Sequence, residues 1–117
     1  MRARLVALGI AALVAGCVAP PGGDAVRTDT VVIPGAWVFE PASVVAAVGS
    51  TVTWRNDGGQ AHTVTFEGLG VDLVVAPGAS VAESFEQAGT FAYACRYHPP
   101  DMRGVVVVEA LAAQERP

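Results

Sequence analysis

Residues 89–104 read Gly-Thr-Phe-Ala-Tyr-Ala-Cys-Arg-Tyr-His-Pro-Pro-Asp-Met-Arg-Gly. The first half alternates. Phe91, Tyr93 and Cys95 fall on one face of an extended segment, and Ala92 and Ala94 on the other. That is the period of a half-buried strand. The second half crowds Cys95, His98 and Met102 into eight residues. A thiolate, an imidazole and a thioether therefore share one loop at a strand's end. The chain has only two histidines. The other, His62, opens a second alternating segment in which His62, Val64 and Phe66 share a face opposite Thr63 and Thr65. Two imidazoles, a thiolate and a weak thioether are the donors of a trigonal copper site with a long axial ligand, the type used for electron transfer.

Short β-prone runs flank these two segments. Residues 30–33 are β-branched and stop at Pro34-Gly35. Residues 37–39 read as a short strand or bulge before Pro41. Further strands are expected at 43–48, at 51–56 with Val52 and Trp54 inward, at 71–75, at 80–85 and at 104–109. Asp57-Gly58-Gly59, Ala76-Pro77-Gly78 and Gln87-Ala88-Gly89 supply turns. No helical period is present. About eight strands at this spacing predict an all-β, Greek-key β-sandwich over residues 28–110, followed by a loose tail at 111–117.

The whole chain, 117 residues, is enough for one domain. It has no lysine, so its seven basic residues are all arginines, against eleven acids and a net charge of −4. An acidic chain without a basic stripe excludes nucleic acid as a partner. Two of the arginines, Arg2 and Arg4, precede an apolar run at 5–15 that is too short to span a bilayer. Residues 1–16 thus read as an export signal. The signal ends in Val14-Ala15-Gly16-Cys17, which resembles the bacterial lipobox. The resemblance implies cleavage before Cys17 and a lipid on its thiol. Residues 17–27, with Pro20, Pro21, Gly22 and Gly23, then form a flexible tether without regular structure. The competing readings are an ordinary signal peptide and a Cys17–Cys95 disulfide. With Cys17 lipidated, Cys95 is an odd cysteine in an exported chain, which calls for a metal, a reactive thiol or an intermolecular bridge.

Trp54-Arg55-Asn56 ahead of His62, and Tyr93 to Gly104 ahead of a valine-rich strand, resemble the cupredoxins: plastocyanins, pseudoazurins and, above all, amicyanins. The resemblance covers nearly all of residues 28–109. It implies one type 1 copper, with His62, Cys95 and His98 equatorial and Met102 axial. It also implies single-electron transfer outside the cytoplasm, between protein partners such as envelope cytochromes or oxidoreductases. Asn56 and Thr63 are expected beside the ligands, and Tyr97, Pro99 and Pro100 in an apolar docking patch through which His98 emerges. The domain is expected to act as a monomer. Two features depart from the relatives. Three residues separate His98 from Met102, one more than in amicyanins and one fewer than in plastocyanins and pseudoazurins. Thr63 stands where those proteins usually carry an asparagine that ties the ligand segments together.

Three function classes compete. An electron carrier uses the full donor set. A self-contained copper enzyme on this fold needs further histidines, which the chain lacks. A copper-handling lipoprotein, for delivery or storage, has the same ligands, and a delivery protein favours exposed, exchangeable ones. Zinc is a competing ion, for which Asp101 would have to supply a hard oxygen in place of Met102.

Overall fold

A computed structural model describes residues 25–98 and 100–110. Nine strands form: β1 (Val26–Arg27), β2 (Thr30–Ile33), β3 (Ser43–Ala47), β4 (Thr51–Asn56), β5 (His62–Phe66), β6 (Val71–Val75), β7 (Ser80–Ser84), β8 (Gly89–Ala94) and β9 (Arg103–Glu109). A single 3-10 turn, Glu67–Leu69, links β5 to β6. The larger sheet runs β1-β3-β9-β8-β5-β6 and the smaller β2-β4-β7.

Alternation decides the faces. On β4, Val52, Trp54 and Asn56 are buried between exposed or half-buried neighbours. Trp54 from the smaller sheet meets Phe66 and Tyr93 from the larger one edge-on, with ring centroids 5.9 and 5.4 Å apart. Phe39 packs against Tyr93 at 4.7 Å. These rings, with Val31, Ile33, Val64 and Val106, fill the space between the sheets. Truncating a ring of this kind to alanine costs about 3–5 kcal/mol.

Three elements differ from the expectation. The tether does not extend to Arg27. Val26 and Arg27 pair in parallel with Val44 and Val45, and Arg27 Nη2 reaches Glu109 Oε1 at 2.8 Å. β1 thus covers what would otherwise be an open edge of β3 and brings the strand count to nine. Residues 37–39 form no strand; only Glu40 bridges back to Val32. This frees Trp37 to lie 49% exposed while Phe39 turns inward. Also, the body is not wholly without helix, because Glu67–Leu69 closes into the 3-10 turn at Gly70, whose φ of +69° suits glycine.

Candidate metal centre

Sheet register gathers the donors at one end of the sandwich. β5 begins at His62, and β8 runs antiparallel to it with Thr65 opposite Ala94. The residues that follow β8, Cys95 and Arg96, therefore come beside the start of β5. β8 and β9 form an antiparallel pair with Ala94 opposite Arg103, so Cys95 and Met102 are the next step out of that ladder. Cys95 N–H donates to the Met102 carbonyl at 3.0 Å and closes the loop between them. Within the loop, His98 N–H donates to the Cys95 carbonyl, and Met102 N–H to the His98 carbonyl, both at 3.3 Å.

The result is a compact cluster. One donor atom each from His62, Cys95 and His98 lie within 4.8 Å of one another. His62 Nδ1 is 3.9 Å from Cys95 Sγ. That is long for a hydrogen bond, yet two metal–ligand bonds of about 2.0–2.3 Å span it comfortably. Cys95 and Met102 are fully buried and His62 nearly so. Cys95 carries a free thiol; Cys17, its alternative disulfide partner, lies outside the described residues. Burial, and secondly the neighbouring His98, lower the His62 pKa, which favours the neutral imidazole that a metal requires. His98 Nε2 is buried with no hydrogen-bond partner. Asp101 is exposed and stands outside the cluster, so the carboxylate that a zinc site would call for is not among the grouped donors. The soft set fits copper.

The residues around the donors are as ordered as the donors. Asn56, fully buried, donates from Nδ2 to the carbonyls of Gln60 and Val75 at 2.7 and 3.0 Å. Its Oδ1 accepts Gly58 N–H at 2.9 Å. One amide thus folds the turn that precedes His62 and pins it to β6. Thr63 N–H donates to Cys95 Sγ at 3.3 Å, and Thr63 Oγ1 accepts Arg96 N–H at 2.7 Å. The threonine therefore links the two ligand segments, with its hydroxyl oxygen as acceptor.

The residues expected to form a docking patch are placed unevenly. Tyr97 is 46% exposed, and Pro100 is exposed; Pro99 lies outside the described residues. A charge also stands close, since the Arg96 guanidinium lies 5.5 Å over the Tyr97 ring. One contributor escaped the sequence. Trp37 stacks on His98, with ring centroids 3.9 Å apart and 18° between planes, and its Nε1 donates to Gln60 Oε1 at 2.8 Å. Its only signal in the chain is a tryptophan in a Pro-Gly turn region, where a core residue is out of place.

A cupredoxin-like domain model matches residues 5–108. The chain belongs to the cupredoxin-like family. This cupredoxin is 38% identical to the plastocyanin of Scenedesmus fuscus over 88 residues, which is 64% of this chain and 90% of that one. An amicyanin variant solved in its reduced Cu(I) form superposes with a TM-score of 0.64 at 35% identity, covering 68% of this chain and 80% of that one. A purple cupredoxin from Nitrosopumilus maritimus superposes at 0.60 and 27% identity, over 70% of this cupredoxin and the full length of the other.

Proposed function

We propose that this cupredoxin is an exported type 1 copper protein that passes single electrons between redox partners of the cell envelope, tethered to a membrane through a lipid on Cys17. The observation that carries the copper reading is the convergence of His62, Cys95 and His98 within 4.8 Å at the end of a rigid sandwich, with Met102 joined to Cys95 across the base of the loop. Copper would supply the one-electron couple. The chain supplies the rest. His62, Cys95 and His98 would hold the ion, and Met102 would offer a weak fourth donor. Strands β5, β8 and β9 keep the donors from rearranging when the charge changes. The buried aromatic core keeps water away from the thiolate.

Burial favours this reading over copper delivery. Cys95 is fully buried and His62 is 2% exposed, whereas a protein that surrenders its metal needs donors within a partner's reach. The exposed rings against His98 are those of Trp37 and Tyr97. The stacked indole puts an exposed π-surface directly against a ligand ring, so an electron has a short through-contact path from His98 to a docked partner.

Titration of the metal-free protein with Cu(II) tests the copper assignment. An intense thiolate-to-copper absorption is expected, and Cys95→Ala should abolish it. A colourless wild type, or a coloured Cys95→Ala variant, overturns the reading.

A further inference from the structure

Behind the thiolate lies a closed ring of hydrogen bonds joining β5, β6 and the ligand turn. Asp72 stands opposite Thr65 in the β5–β6 register, and Thr65 Oγ1 donates to Asp72 Oδ1 at 2.7 Å. That uses the one hydroxyl proton of Thr65. In the 2.9 Å contact between Thr63 Oγ1 and Thr65 Oγ1, Thr63 is therefore the donor. Thr63 Oγ1 in turn accepts Arg96 N–H. The Arg96 guanidinium completes the ring on the same carboxylate, with Nε to Oδ1 at 2.9 Å and Nη2 to Oδ2 at 2.8 Å. Two branches thus leave Arg96, one from its N–H through the two threonines and one from its guanidinium, and both end on Asp72. Hydrogen bonds aligned in series polarise one another, so each makes the next acceptor stronger. The Arg96 and then the Thr65 hydrogen bonds hold the Asp72 carboxyl below its ordinary range, which keeps the terminal acceptor charged.

The ring adjoins Cys95 at two points, one through the backbone and one at the sulfur. Arg96 N–H belongs to the peptide that follows Cys95. Thr63, whose hydroxyl sits mid-ring, gives its own backbone N–H to Cys95 Sγ. We propose that Thr63, Thr65 and Asp72 form a positioning relay that fixes this N–H on the sulfur and thereby raises the reduction potential of the bound metal. A donor held on the sulfur withdraws electron density from it and favours the reduced ion. The relay is built into the strand alternation. Thr63 and Thr65 share one face of β5, and Asp72 meets that face from the adjacent strand.

The potential arm of the test rests on the copper reading; the exchange arm does not. Thr65→Val keeps shape, charge and the Asp72–Arg96 ion pair but breaks the relay at its middle. In the copper-free domain, amide exchange at Thr63 and Arg96 should accelerate about five-fold or more, the loss of roughly one net hydrogen bond. In the copper-loaded domain the thiolate absorption should shift and the potential should fall. Thr65→Ser, which retains the hydroxyl, should restore all three. Thr63→Val removes the acceptor of Arg96 N–H and should move each readout in the same direction. Unchanged exchange and unchanged potential in Thr65→Val overturn the relay. So does a loss of protection spread evenly over β8 and β9, because that marks general destabilisation. A wild type that takes no colour with copper defeats the copper reading instead, while the exchange arm still decides the relay.

Discussion

At the scale of single residues, the site divides into donors that the chain announces and a cover that it conceals. Cys95, His98 and Met102 are legible because they share one loop, and His62 because strand phase turns it toward the core. Trp37 is different. It reaches His98 only because the loop after β2 fails to continue as a strand and Gln60 holds the indole by its N–H. Both conditions depend on contacts between distant segments, so no local pattern reports them. If Trp37 is the contact face, its chemistry should govern electron exchange. Trp37→Phe keeps an apolar ring over His98 and should exchange electrons at close to the wild-type rate. Trp37→Glu places a charge where a partner must shed its water, and should slow self-exchange about tenfold or more. The thiolate absorption should survive in both variants. Stopped-flow or NMR measurement of self-exchange checks this; equal rates for Trp37→Glu and wild type would move the docking face elsewhere.

At the scale of elements, the strands were readable from alternation and turn residues, and their ends shifted by a residue or so. β1 was not readable. Two residues after a Pro- and Gly-rich run carry no period, and their pairing is imposed by the open edge of β3 and by Glu109. The turn between β4 and β5 shows how one side chain can specify an element. Asn56 is fully buried and makes three hydrogen bonds that no apolar residue can replace. Asn56→Ala would leave Gly58 N–H and the Gln60 and Val75 carbonyls to find other partners, at a cost of about 2–4 kcal/mol. The same change loosens the segment that carries both Gln60 and His62. Denaturant unfolding should therefore show the loss in the copper-free protein, and the copper-loaded variant should release its metal to a chelator faster than wild type. At low pH Asn56→Asp, whose protonated carboxyl keeps the acceptor for Gly58 and one of the two donors, should fall between the two in stability.

At the scale of the whole molecule, the order of the sheet bears on how the proposed anchor presents the site. β9 leaves the metal end at Arg103. β3 runs parallel to β9, and β1 parallel to β3. All three strands thus start from the metal end, and β1 begins on that side at Val26. Eight residues, 18–25, separate Cys17 from β1. Fully extended they reach about 26–29 Å, and less in any relaxed conformation. A lipid on Cys17 would therefore hold the metal end, with Trp37 and Tyr97 against His98, near the bilayer surface, in reach of a membrane-bound partner. Among the described residues no helix is long and apolar enough to cross a membrane. Cys17→Ser should release the protein from the membrane fraction, or leave it unprocessed, with the copper absorption unchanged. Lengthening the tether with a flexible Gly-Ser insert should leave the protein in the membrane fraction but lower the local concentration of the site at a membrane-bound acceptor, and so slow electron delivery. Electron transfer to a soluble acceptor should not change. Membrane association that survives Cys17→Ser would refute the anchor, and a membrane-bound acceptor indifferent to tether length would refute the orientation that the parallel strands imply.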